Sequence, residues 1–172
     1  MGFKFHHHVS GLVTAAPQVL FDHLDDPHHL ASHMESGSSA MLGASMSIET
    51  DTLHGKAIGS VIRMRGRMLG FKLFLVEAVT SRDPPYLKEW TTVGKPRLLV
   101  IGGYRMGFRI EDAGPASRLT VFIDYDLPGG RLGRLIGRPL APAYARWCCR
   151  RMLEDATRAF ANRIDIGERH AN

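Results

Sequence analysis

Residues 139–166 read PLAPAYARWCCRRMLEDATRAFANRIDI, and this stretch decides the fold. Pro139 and Pro142 suit the first turn of a helix, where a missing N–H costs nothing. Beyond Pro142 there is no further proline, and no glycine before Gly167. Ala145, Cys149, Met152, Ala156, Ala159, Phe160 and Ile164 recur at steps of three and four, the period of an amphipathic helix. Arg146, Arg150, Asp155 and Arg158 take the opposite face. Gly167 suits the stop, because glycine tolerates the left-handed conformation past a helix end. A helix of about 25 residues is roughly 37 Å long and needs an apolar surface to lie on. The rest of the chain reads mostly as strands, so the expectation is a sheet wrapped round one helix.

Working outward, Phe3 to Val13 alternates Phe3, Phe5, His7 and Val9 with Lys4, His6, His8 and Ser10, a strand pattern. Pro17 opens a short helix carrying Val19, Leu20, Phe21 and Leu24, and Asp25-Asp26-Pro27 breaks it. Asp26 is placed to cap a second short helix running to His33. Strands follow at Ala40–Thr50, Ile58–Met68, Phe71–Val79, Tyr86–Val93, Arg97–Ile110 and Leu119–Leu127, separated by short turns. Short turns make the sheet antiparallel. The glycines at 59, 66, 70, 102, 103 and 107 are expected to supply the bends of a curved sheet. Gly133 and Gly137 punctuate the approach to the long helix. The fold class is α+β: about seven antiparallel strands, two short helices after the first, and a long C-terminal helix.

With 172 residues, 44% of them hydrophobic, the chain is expected to form one domain over 1–172 around a genuine core. No apolar run approaches the roughly 18 residues of a membrane span, and Phe3-Lys4-Phe5 leading into histidines is not a signal-peptide layout. Cys148 and Cys149 are the only cysteines. Neighbouring helical side chains diverge by about 100°, so a bond between them is disfavoured and the pattern suits a reducing cytoplasm. The net charge of +5 is uneven: eight arginines between 131 and 163 face only Glu154 and Asp155. Such a field favours anionic ligands, a membrane surface or nucleic acid, although a solvated helix face is the plainer reading.

Val19-Leu20-Phe21-Asp22-His23-Leu24-Asp25-Asp26-Pro27, Gly59-Ser60 in the third strand, Asp83-Pro84-Pro85 before the fifth and Tyr125-Asp126-Leu127-Pro128 before the final helix, in this order, resemble the START-like (SRPBCC) superfamily. That group has the helix-grip fold and includes polyketide cyclases/dehydratases, lipid-transfer proteins and plant pollen allergens. The resemblance implies a cavity between sheet and helix. It carries no universal catalytic set, and fold alone does not give function.

In such a cavity Tyr86, Trp90, Tyr104, Met106, Phe108 and Met152 are the expected ligand-binding residues, for a lipid, polyketide or aromatic compound. The alternative is that they fill a core. Arg105 and Arg109 mark the outward face of the sixth strand, and Gly102 and Gly103 are expected to leave space. Tyr86, Lys88, Trp90 and Thr92 share a face of the fifth strand. Tyr104, or His33 with Glu35 at the cavity mouth, are the candidates for proton transfer. His6 and His8 share a strand face but lack a third ligand at a recognised spacing, so no metal is expected. No cofactor is expected, since no phosphate-cradling motif occurs. Gly129–Arg138 lacks the interleaved aromatics that stack on bases, so no specific nucleic-acid binding is expected. Three functions remain: a carrier of a hydrophobic small molecule, a cyclase or dehydratase on the same fold, and an interaction module whose basic helix face meets an anionic surface.

Overall fold

A computed structural model describes residues 2–30, 45–68 and 71–169. Strand β1 (Phe5–Val13) leads into helices α1 (Pro17–Leu24) and α2 (Pro27–Leu30). Strands β2 (Ser45–Thr50), β3 (Val61–Met68), β4 (Phe71–Asp83), β5 (Leu87–Thr92), β6 (Tyr104–Ala113) and β7 (Ala116–Tyr125) follow, and α3 (Gly130–Arg169) ends the chain. The seven strands form one antiparallel sheet in the order β1-β7-β6-β5-β4-β3-β2. This is the helix-grip arrangement. Each strand from β2 to β7 pairs with its sequence neighbour, and β1 pairs with β7.

Burial follows the strand alternation. Tyr104, Met106, Phe108 and Ile110 of β6 and Leu119, Val121, Ile123 and Tyr125 of β7 are buried, while Arg105 and Arg109 are exposed. On α3 the buried set is Ala141, Ala145, Cys148, Cys149, Met152, Ala156 and Phe160. Leu153 lies against Gly11 of β1, where a Cβ would come within 3.0 Å of its Cδ2. Leu20 and Phe21 of α1 are fully buried, and burying each side chain contributes about 1.5–3 kcal/mol. Pro17 occupies the first turn of α1, and Asp26 Oδ1 caps α2 by accepting from His28 N at 2.9 Å. Both cysteines are free and buried.

Several boundaries differ from the sequence expectation. Helix α3 begins at Gly130, so Pro139 and Pro142 lie inside it and backbone helix continues through Gly167. Each proline withdraws one N–H from the ladder. Gly133 and Gly137 are therefore helical, and they serve close packing: a Cβ on Gly137 would lie 2.7 Å from Pro128 Cδ and 3.1 Å from the Val100 carbonyl oxygen, and one on Gly133 3.0 Å from Pro128 Cβ. Gly59 and Ser60 form the turn before β3 rather than part of it. Ser60 Oγ donates to Asp51 Oδ1 at 2.5 Å and Val61 N to Asp51 Oδ2 at 2.7 Å, so Asp51 sets where the strand starts. The register shift between β4 and β5 falls between Val79 and Ser81, at Thr80 and not at a glycine.

Strand β6 begins at Tyr104, not Arg97, whose backbone makes only an isolated bridge to Phe74. Gly102 N donates to the Asp126 carbonyl at 2.8 Å, and a Cβ on Gly102 would lie 2.8 Å from the Leu127 carbonyl oxygen. Gly102 thus lets two backbones approach rather than leaving room for a ligand, and a Cβ on Gly103 would lie 3.2 Å from Thr92 Oγ1. Residues 40–44 of the expected second strand, and His33, lie outside the described residues.

Candidate functional site

Between the inner sheet face, α2 and α3 lies a cavity of about 50 Å³, lined mainly by apolar side chains. Pro27 and Leu30 close it from α2, and Ile62, Met64, Met106 and Ile123 from the sheet. Met152, Cys148 and Tyr144 close it from α3. Four polar or amphipathic side chains complete the wall: Glu77 of β4, Lys88 and Trp90 of β5, and Tyr104 of β6. Strand pairing brings them together. Glu77 pairs with Thr92, Val79 with Trp90, and Trp90 with Met106, so alternate residues of three adjacent strands point into one space.

Glu77 is the chemical centre of this wall. Only 1% of it is exposed. Tyr104 Oη donates a short hydrogen bond to Glu77 Oε1, and the Trp90 side chain hydrogen-bonds to the same carboxyl group. Burial drives the carboxyl up to about 7, although the Tyr104 and Trp90 hydrogen bonds and the Lys88 charge all act to lower it. Near neutral pH it is therefore poised between a carboxylate and a carboxylic acid. The same burial, together with the Glu77 charge, raises the Tyr104 phenol well above its ordinary value. Burial also pushes the Cys148 thiol to about 12, despite its hydrogen bond with Tyr144. Cys148 is consequently a packing group and not a nucleophile at neutral pH.

Lys88, 1% exposed, is committed elsewhere. Its Nζ donates to the Asp25 carbonyl oxygen and to Asp25 Oδ1, both at 2.7 Å. Arg82 holds the same carboxylate from its other side, Nη2 to Oδ2 at 2.8 Å and Nε to Oδ1 at 3.2 Å. Burial alone would raise the Asp25 carboxyl, but the Arg82 and Lys88 hydrogen bonds outweigh it and hold the group below its ordinary value. For Lys88, burial outweighs the Asp25 partner and lowers the ammonium. This cluster ties the end of α1 to β4 and β5, fixing the short helices over one end of the cavity.

Of the residues singled out from sequence, Trp90, Tyr104, Met106 and Met152 line the cavity together. Phe108 is fully buried beneath it, packed edge-on against Phe21 at 5.6 Å and Trp90 at 6.4 Å between ring centroids. Tyr86 does not join them. It sits in the turn before β5, 51% exposed, because the strand starts one residue later and the alternation does not extend back to it. His33 and Glu35 lie outside the described residues. Ile101, placed by alternation on the outward face, lines the cavity because residues 98–103 are not strand. Sequence reasoning passed over Glu77; the signal was an acidic residue on the core-facing series Leu73, Leu75 and Val79. Among the described residues no group of three or more His, Cys, Asp or Glu is arranged to hold a metal, and no helix is long and apolar enough to cross a membrane.

No family model matches the sequence, and no curated protein does. The solved structures that resemble it share its architecture over nearly the whole chain. TTHA0849 from Thermus thermophilus superposes with a TM-score of 0.67 at 13% identity, covering 91% of this chain and 97% of that one. Norcoclaurine synthase from Thalictrum flavum, in complex with dopamine and hydroxybenzaldehyde, gives 0.61 at 16% identity, with 92% and 87% covered. Ginseng major latex-like protein 151 from Panax ginseng gives 0.57 at 15%, with 89% and 97% covered. The chain thus shares the helix-grip fold of these structures, a curved antiparallel sheet around a long C-terminal helix.

Proposed function

We propose that the protein binds a hydrophobic small molecule in the cavity between sheet and α3, and that the molecule presents a hydrogen-bond donor to Glu77. The observation that carries this is a carboxyl group 1% exposed in an apolar wall. Tyr104 and Trp90 already donate to it, and Lys88 is taken up by Asp25. When Glu77 is ionised, this end of the cavity therefore offers an incoming molecule an acceptor, which suits a phenol, alcohol or amine on an apolar body. The norcoclaurine synthase complex on the same fold holds compounds of that kind.

The test is calorimetric titration with p-cresol and with p-xylene, a near-isosteric pair in which a methyl group replaces the hydroxyl donor. The wild type is expected to prefer p-cresol by about tenfold, the worth of one buried hydrogen bond. Glu77→Met should bind both alike. Failure of both compounds to bind, or a preference that survives in Glu77→Met, would overturn the proposal.

The carboxyl lifted to about 7 favours a second reading, in which Glu77 moves a proton on a bound polyketide-like substrate, as in a cyclase or dehydratase. Tyr104, the phenol expected from sequence to take part, then acts through its hydrogen bond to Glu77. A rate that follows a single ionisation near 7 in the wild type, and that is abolished in Glu77→Gln with binding intact, is the outcome this reading requires.

A further inference from the structure

We propose that the first three turns of α3 dock on an anionic lipid bilayer. This face lies outside the cavity and does not depend on what fills it. Leu135, at 71%, is the most exposed large apolar side chain among the described residues, and Ile136 and Leu140 beside it are 43% and 48% exposed. At about 100° per residue, Arg131, Arg134 and Arg138 occupy the arc on one side of these side chains. Gly137 and Ala141 turn toward the protein, where Gly137 meets Pro128 and Val100 and Ala141 is fully buried. The outward surface of one helix segment is thus divided lengthwise into a cationic and an apolar strip, the layout of a helix lying in a membrane interface.

Charge complementarity selects the occupant. Residues 127–153 contain six arginines and no aspartate or glutamate. Among the described residues no carboxylate lies within ion-pair distance of Arg131, Arg134 or Arg138. Lys4, the exposed Phe5 and Asp126 border the same surface; the Asp126 carboxylate there accepts from Lys4 N at 3.2 Å, so the arginines still dominate its charge. A purely solvated basic face would not carry three large aliphatic side chains, and an acidic protein partner would not need them. A bilayer with anionic headgroups uses both strips. Tyr144 and Cys148, one and two turns further along α3, line the cavity, so docking here brings the ligand space beside the lipid.

Co-sedimentation of the full chain with vesicles tests this. The wild type is expected to bind phosphatidylcholine vesicles containing roughly one-third phosphatidylglycerol, to ignore pure phosphatidylcholine, and to be released by about 0.5 M salt. Arg131→Gln/Arg134→Gln/Arg138→Gln should weaken partitioning roughly a hundredfold, while the corresponding lysine variant keeps most of it. Leu135→Ser/Ile136→Ser/Leu140→Ser should weaken it about tenfold or more at low salt. All six side chains are exposed, and unchanged circular dichroism confirms the fold. Absence of binding to the anionic vesicles would overturn the proposal. So would binding indifferent to the apolar substitutions, or concentration-dependent self-association through this face in place of vesicle binding.

Discussion

At the residue scale the molecule turns on two buried carboxyl groups treated in opposite ways. Asp25 is given two cations and stays charged. Glu77 is given two neutral donors and an apolar cavity, and its proton is held to about 7 against an ordinary 4.5. The consequence for stability has a definite sign. Below the ordinary value both folded and unfolded chains hold the proton. Between the two values the folded chain holds the extra proton, so stability falls as pH rises. Above about 7 the full loss, of order 3 kcal/mol, is in place. Glu77→Gln cannot titrate. Its stability relative to wild type should therefore improve between pH 5 and 8 by roughly that amount, read from urea unfolding at each pH. A difference that stays flat across this range would show that Glu77 ionises freely in the folded protein.

Asp25 makes the complementary prediction. Removing it leaves Lys88 charged in a site where it is 1% exposed; removing Lys88 leaves Asp25 still paired with Arg82. Asp25→Ala should cost about 3–5 kcal/mol, and Lys88→Met clearly less. Equal unfolding midpoints for the two variants would mean that the ion cluster does not anchor α1.

At the element scale the long helix was readable in its apolar period but not in its start. Period and proline placement are local signals, and Pro139 is as good a first-turn residue as any. What carries the helix back to Gly130 is tertiary: Gly133 and Gly137 fit against Pro128, Leu127 and Val100. Alternation likewise gave the inward faces of β6 and β7, where the strands are regular. It misplaced Ile101 and Tyr86, which lie where strands end, because turn geometry and not side-chain pattern fixes those ends. Glu77 was legible only as an oddity. Its role depends on strands that pair across the sheet, and nothing local announces Tyr104 and Trp90 as its partners. Gly137→Ala tests the packing account. Alanine is the better helix former by about 1 kcal/mol, yet here it should destabilise by about 1–3 kcal/mol, through the clash with Pro128 and the Val100 carbonyl. A rise in thermal midpoint would refute the close approach.

At the scale of the whole molecule, seven strands, a two-helix plug and one helix enclose a space that is closed down to about 50 Å³. Known ligand pockets run to several hundred Å³, so occupation requires the lining to move. Met64, Met106 and Met152 surround the space, and unbranched methionine side chains are the ones that re-pack at least cost. The measurement that bears most directly on the central claim is therefore methyl NMR of methionine-labelled protein titrated with p-cresol. The account predicts that the Met64, Met106 and Met152 methyl signals shift together and saturate, with assignments made by single substitution. Signals that do not move up to millimolar ligand, or that drift without saturating, would show a packed core where a binding cavity is claimed.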